Sequence, residues 1–212
     1  MNYVVKCLLS SGADINLCDK DGKSPFYIAS VKGECDFVKC LLSSGADINL
    51  CDIDGHSPLF QASMSGHCDV VKCLISSGAK NNCCGHDEQR PLLIASKAGY
   101  SDVVECLIGA DADINLVDIL RQSPLFAASM SGRCDVVKCL LSSHADINLC
   151  DKDGHSPLFR ASKSGHYDVV KCLLSSGADI NLCDMNGQSP LVVASSSLHH
   201  DIVLLLTAQQ KE

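Results

Sequence analysis

Evenly spaced prolines are the feature that most constrains the fold of this chain. The step between successive prolines is 33 residues, as from Pro25 to Pro58, and Ala29 and Val38 recur with the same step. A fixed period of this length is typical of stacked structural repeats rather than of one globular core. The six prolines are Pro25, Pro58, Pro91, Pro124, Pro157 and Pro190.

The residues around one proline predict what a unit folds into. Ser24 can cap the exposed backbone N–H groups of a helix, and Pro25 suits the first helical position, so a short helix is expected over about Pro25 to Lys32. Gly33 ends that helix, and a second, apolar-faced helix ends at Gly45. Because neither helix can bury its apolar face alone, neighbouring units must stack. The sequence therefore predicts an all-α solenoid of helix-turn-helix units joined by hairpin-like loops.

The frame of each unit also resembles a known repeat. Asp52 to Pro58 is followed by Gly66 and His67, by Val70 and Val71 in the second helix, and by Gly78 with Ala79. This succession is similar to the ankyrin repeat, and the resemblance covers essentially the whole chain. It implies a curved stack whose concave surface, lined by turn tips and first helices, binds other proteins.

We divide the chain as one ankyrin-repeat domain with unequal ends. The complete repeats are called repeats one to five; repeats two and five are nearly the same sequence, and repeat three fits least well because Arg90 replaces the capping serine and Glu88 the turn glycine. The divisions of the domain 1–212 are a partial repeat 1–18, complete repeats 19–51, 52–84, 85–117, 118–150 and 151–183, and a shortened C-terminal repeat 184–212.

Composition excludes several classes of partner. A net charge of -8 disfavours binding to the nucleic-acid backbone, which requires clustered Lys and Arg. The sequence has neither an apolar run of the roughly 20 residues that a membrane span needs nor a signal peptide, so membrane insertion is not expected. We expect a soluble protein of the cytoplasm or the nucleus.

Fifteen cysteines raise the question of metal or redox chemistry. Cys40, Cys73 and Cys106 share one repeat position, Cys18 and Cys51 share another, and no Cys-x-x-Cys pair begins a zinc site. Recurrence at fixed positions favours packing thiols that stay reduced. No residues that break the repeat pattern combine into a nucleophile, base and orienting group, so the prediction is a non-enzyme with no catalytic residue, no cofactor and no metal.

Binding is expected at positions that vary while the frame stays fixed. Exposed apolar turn tips are costly without a partner, and Met suits adaptable contacts. Lys97, Arg160 and Lys163 favour a partner with acidic residues beside an apolar ridge. The predicted function is a scaffold or adaptor; the alternatives are a passive spacer in a longer array, or drift on an unused face. The candidate partner-binding residues are Ile53, His56, Gln61, Met64, Lys97, Ile119, Leu120, Met130, Lys152, His155, Arg160 and Lys163.

One recurring asparagine suggests a modification. It follows Asp-Ile, with a leucine eight residues earlier, as in Leu41 and Asn49. This setting is similar to that in which asparaginyl hydroxylases modify ankyrin repeats; the alternative is a hairpin residue that satisfies backbone groups. The candidate hydroxylation sites are Asn49, Asn115, Asn148 and Asn181, with an asparaginyl hydroxylase as the partner that they imply.

Overall fold

The computed structural model of the protein describes residues 7–83 and 85–210, and all regular secondary structure in these ranges is helical. Helices alternate in pairs along the chain, which confirms the predicted all-α solenoid. The first helices of the pairs are α1 (Pro25–Val31), α3 (Pro58–Met64), α5 (Pro91–Ala98), α7 (Pro124–Met130), α9 (Pro157–Ser164) and α11 (Pro190–Ser196). The second helices are α2 (Cys35–Ser43), α4 (Cys68–Ser76), α6 (Ser101–Ile108), α8 (Cys134–Ser142), α10 (Tyr167–Ser175) and α12 (His200–Gln209). Residues 7–10, ahead of these pairs, are also helical.

Helix starts follow the serine and proline signal. Before α1, α3, α7, α9 and α11 the serine hydroxyl accepts a hydrogen bond from the backbone N–H three residues on, as Ser57 does from Phe60 at 3.1 Å. Helix α5 lacks such a cap because Arg90 stands there. The Arg90 guanidinium instead donates to the carbonyl oxygen of Val117 at 2.8 Å, which ties the start of the first helix of repeat three to the last residue of the same repeat.

Two rows of helices form the solenoid. Each first helix packs on the second helix of its own unit and on the first helices of its neighbours, around a core that includes Leu59, Val71 and Leu74. The first helices pack more closely on one another than the second helices do, so the stack curves toward the first helices. We call the first helices and the adjoining turn tips the inner surface, and the second helices the outer row. None of the described helices is long and apolar enough to cross a membrane.

In several repeats, a histidine just before the second helix forms a hydrogen bond with the preceding repeat. His67 lies with its ring Nε2 2.9 Å from the carbonyl oxygen of Val31 at the end of α1. The ring covers Gly33, whose φ is 72°, and a Cβ built on Gly33 would approach the imidazole to 2.6 Å. Gly33 is therefore needed both for its backbone conformation and for the close approach of the next repeat.

Candidate functional site

A groove opens on the inner surface between the turn tips of repeats one to three. Its volume is about 480 Å³, and its walls include the nearly buried rings of Tyr27 and Phe60. The structure brings four of the predicted partner-binding residues together in its lining: Ile53, His56, Gln61 and Met64. Of these, Ile53 and Met64 expose 63% and 41% of their surface, so apolar atoms face solvent in the groove.

Carboxylates set the charge of this groove. Lys23 is the single Lys or Arg among the described residues that line it. A concave site with this balance of charge attracts cationic groups. We call it the acidic groove, and its lining carboxylates are Asp21, Asp52, Asp54 and Asp87.

Asp52 is fixed by the turn that it closes. Its Oδ1 accepts the backbone N–H groups of Asp54 and His56 at 3.0 and 2.9 Å, and its Oδ2 accepts the Tyr27 hydroxyl at 2.5 Å. Burial first, and then this hydrogen bond, raises the pKa of Tyr27 above its ordinary range. Asp52 therefore holds the groove in shape, whereas Asp21 and Asp54 present their carboxylates to solvent.

His56 forms part of the groove wall. Its ring stacks on Phe60 with a centroid separation of 4.3 Å, and its Nε2 lies 3.9 Å from Asp87 Oδ1. The stacking orients the imidazole, so His56 presents a polar ring edge between two carboxylates, Asp52 and Asp87, rather than a mobile side chain.

Two turn tips bring together side chains that are able to ligate a metal ion. Asp52, Asp54 and His56 can offer ligand atoms within 4.8 Å of one another, and the corresponding residues of repeat five do the same. The recurring Asp-x-Asp-Gly-His sequence is the signal for this convergence, which the sequence analysis missed. Both Asp52 oxygens already accept hydrogen bonds from the protein, so a cation would have to compete with the closure of the turn. That no metal binds here stays a prediction.

The turn tips join into a continuous ridge. The backbone N–H of Ile53 donates to the carbonyl oxygen of Asp21 at 3.1 Å, and that of Lys152 donates to Leu120 at 3.0 Å. Ile119 and Leu120 expose 58% and 38% of their surface on this ridge. Met130, which was predicted to face solvent with them, is half-buried at the end of α7.

The predicted cationic residues lie outside the acidic groove. Lys97, Lys152 and Lys163 are exposed, and Arg160 is half-buried in α9. His155 exposes 14% of its side chain at the tip of repeat five. The inner surface thus has an acidic part over repeats one to three and a set of cationic positions in repeats three to five.

The candidate asparagines connect neighbouring loops. The Asn49 side-chain oxygen accepts the backbone N–H of Lys80 at 3.1 Å, and Asn115 and Asn148 make the same bond to the next repeat. Asn181 is exposed, and its side chain has no hydrogen bond among the described residues. Satisfying backbone groups, the alternative given by the sequence, is confirmed for the first three, although the bonded groups belong to the next repeat.

Comparisons with known proteins agree with this architecture. The family profile described as ankyrin repeats (3 copies) matches residues 1–85, 92–184 and 125–212. The crystal structure of the human ASB11 ankyrin repeat domain is similar at a TM-score of 0.86 and 28% sequence identity, over 96% of this chain and 92% of that chain. No curated protein matches the sequence. Ankyrin repeats are generally protein-protein interaction modules. With the profile matching nearly every residue, this chain belongs to the ankyrin-repeat family.

Proposed function

We propose that the chain is a non-catalytic scaffold or adaptor, resident in the cytoplasm or nucleus, that binds a protein segment along its inner surface. The observation that carries the proposal is the acidic groove, where exposed Ile53 and Met64 lie among the carboxylates of Asp21, Asp54 and Asp87. Apolar contact supplies affinity, and the carboxylates select for charge. The segment that fits has Lys or Arg interspersed with aliphatic residues.

The other part of the inner surface extends this description of the partner. Beyond the groove the ridge continues through exposed Ile119 and Leu120 toward Lys152 and Lys163. Acidic residues of a partner are favoured there. The proposed ligand is therefore a segment whose basic, aliphatic part lies on repeats one to three and whose acidic part lies toward repeat five.

Selection of peptides from a displayed library, with the full chain as bait, tests this proposal. Asp21→Lys/Asp54→Lys reverses the charge of the groove. Both residues occupy the turn position at which repeat four carries Leu120, so this turn forms without a carboxylate there and we expect folding to be preserved. We expect the selected peptides to be rich in Lys, Arg and aliphatic residues and to lose at least about tenfold in affinity for this variant, equivalent to about 1.4 kcal/mol.

A matched variant changes the net charge equally outside the groove. Glu34→Lys/Glu105→Lys alters two exposed residues at positions where repeats four and two carry Arg133 and Lys72. Peptide affinity should be preserved in this control. Equal weakening by both variants would reduce the effect to net charge. If the unaltered chain enriched no peptide more strongly than the groove variant did, the result would favour the alternative function, a passive spacer in a longer array.

The asparagines supply a second candidate function, as substrates of an asparaginyl hydroxylase. The observation that favours it is Asn181, which is exposed and, within residues 7–83 and 85–210, makes no inter-repeat bond of the kind that holds Asn49, Asn115 and Asn148. Incubation with the enzyme, iron(II), 2-oxoglutarate and dioxygen should therefore add oxygen to Asn181 faster than to the other three. Site-resolved mass analysis measures the order. Modification of Asn82, which does not follow Asp-Ile, at the rate of Asn181 would contradict the hypothesis.

A further inference from the structure

Cysteines of neighbouring second helices meet on the outer row, away from the acidic groove. Cys68 is the first residue of α4 and Cys106 lies in α6, and their sulfur atoms are 3.7 Å apart. Both side chains are half-buried, so they contact one another and remain reachable by a small molecule. A pair of thiols at this separation is a chemical unit that neither cysteine forms alone.

The pair recurs because the repeat does. A cysteine that opens one second helix lies 38 residues before a cysteine inside the next second helix. Each pairing also affects a thiol pKa: burial is the largest cause of the raised pKa of Cys73, Cys106 and Cys172, and their partners Cys35, Cys68 and Cys134 raise it further. The three pairs are Cys35 with Cys73, Cys68 with Cys106, and Cys134 with Cys172.

A lysine accompanies each pair. Lys39, Lys72 and Lys138 follow the opening cysteine by four residues, which places them one turn further along the same helix face. The pKa of Lys72 is raised chiefly by charge on Cys68 and then on Cys106, and that of Lys138 is raised chiefly by Cys134. By reciprocity each lysine lowers the pKa of a thiol in its pair and so partly offsets the rise that burial causes. Thiolate is the form that reacts with oxidants.

The interface between repeats three and four departs from this arrangement. Ser101 stands where the opening cysteine would be, and Glu105 stands in place of the lysine. Burial and then the charge of Glu105 raise the pKa of the remaining thiol, Cys139. The chain thus contains its own comparison: three interfaces with two thiols and a cation, and one with a single thiol and an anion.

We propose that the three cysteine pairs are modification sites at which a hydroperoxide forms disulfides between consecutive repeats. The thiolate of a pair attacks the peroxide, the O–O bond breaks, and a sulfenic acid and an alcohol or water result. The second sulfur then attacks the sulfenic sulfur; the S–S bond forms, the S–O bond breaks and water leaves. Two thiols are oxidised and one peroxide is reduced. In the pair whose sulfur atoms are in contact, Cys68 and Cys106, the two sulfurs must close from 3.7 Å to about 2.05 Å.

The positions of the pairs dictate what oxidation does to the solenoid. Cys35 with Cys73 and Cys68 with Cys106 join repeats one, two and three into one block, while Cys134 with Cys172 joins repeats four and five. The interface at Ser101 stays unlinked. Among the five complete repeats, oxidation therefore gives two cross-linked blocks with one unbridged junction, between repeats three and four.

Peptide mapping of the full chain after oxidation tests the proposal. The reduced chain, dilute and with a metal chelator present, is treated with hydrogen peroxide, the remaining thiols are alkylated, and peptides are identified without reduction. We expect the three predicted cross-links, each with the loss of two hydrogens, to form at least about tenfold faster than Cys139 is oxidised, because each partner thiol is already in place. Cys68→Ser should remove its own cross-link and leave the other two unchanged.

A gain-of-function variant makes the test independent of damage to the fold. Ser101→Cys/Glu105→Lys gives the fourth interface the same three residue types and should add a cross-link from position 101 to Cys139. Helical content by circular dichroism should be preserved in both variants. Random pairing, oxidation of single thiols to sulfinic acid without cross-links, or no new link in the gain-of-function variant would each overturn the proposal.

Discussion

Repeats two and five share a turn sequence almost residue for residue. In each, one oxygen of an aspartate, Asp52 or Asp151, accepts two backbone N–H groups at 2.9 to 3.0 Å. In each, the histidine that follows stacks on a phenylalanine, with centroid separations of 4.3 Å in repeat two and 4.6 Å in repeat five. Local sequence therefore fixes the backbone of both turns in the same way.

The second carboxylate oxygen distinguishes the two repeats. Asp52 Oδ2 accepts the Tyr27 hydroxyl, and His56 Nδ1 stays 3.8 Å away. Asp151 Oδ2 instead lies 3.0 Å from His155 Nδ1, because Phe126 occupies the position of Tyr27 in the preceding repeat and has no hydroxyl. The chemistry of a turn in this solenoid is thus completed by the first helix of the repeat before it.

Three further differences add positive charge to repeat five around the same frame. Ile53, Gln61 and Met64 of repeat two correspond to Lys152, Arg160 and Lys163 of repeat five. The first set lines the acidic groove, and the second set lies outside it. Near-identical repeats therefore present different surfaces: one is apolar and acidic, and the other has three cationic side chains beside the same turn carboxylates.

Removing the aspartate should separate the two turns most clearly. Asp52→Ala should lower the free energy of unfolding by about 3 kcal/mol and Asp151→Ala by about 2 kcal/mol. Both lose the turn closure, but only the first leaves a buried hydroxyl, that of Tyr27, without its acceptor. Urea unfolding of the two variants measures the difference.

A double-mutant cycle assigns that difference to one contact. Tyr27→Phe/Asp52→Ala should lose less than the sum of its two single variants, because the hydroxyl and its acceptor are removed together. Additive effects, or a larger loss for Asp151→Ala than for Asp52→Ala, would show that the preceding helix does not complete the turn.

The turn glycine extends the comparison to repeats three and four. Gly55 and Gly154 adopt positive φ in repeats two and five, whereas Glu88 and Arg121 hold φ of 57° and 59° at the same position. Glu88→Gly and Arg121→Gly should each raise the free energy of unfolding by about 1 kcal/mol, since the left-handed conformation costs a side chain about that much. Gly55→Ala in repeat two is the converse control and should destabilise by a similar amount. Unchanged stability in all three variants would contradict the assigned strain.

The sequence predicted local structure well because the signals for it are local. Ser24 and Pro25 mark a helix start by themselves, and Gly33 marks the end of that helix. The contacts that make the site join different repeats, as Tyr27 joins Asp52 and Cys68 joins Cys106. Comparing repeats at equal positions cannot reveal them, because the partners lie at unequal positions of adjacent repeats. A search for pairs separated by one repeat plus five residues would have found the thiols.

The hydroxyl of Tyr27 gives the smallest expected effect. Tyr27→Phe should cost about 1 kcal/mol at neutral pH. Because the pKa of Tyr27 is raised above its ordinary value of 10.0, its contribution to stability is present below pH 10 and lost as the pH rises further. The free energy of unfolding, measured as the pH rises above 10, should therefore fall in the unaltered chain by an amount that Tyr27→Phe does not lose. Tyr100→Phe, which alters a more exposed tyrosine, should still show the fall in the free energy of unfolding above pH 10. If Tyr100→Phe abolished that fall as well, the effect would belong to another group.

Site-specific photo-cross-linking tests most directly the claim that partners bind on the inner surface. A benzophenone amino acid replaces Gln61, which lines the acidic groove, or Lys72, which is exposed on the outer row of the same repeat. The probe is a peptide rich in Lys, Arg and aliphatic residues, chosen by its binding to the unaltered chain. We expect a covalent adduct from position 61 and none above background from position 72. Adduct formation from position 72 alone would place the binding surface on the second helices and contradict the account.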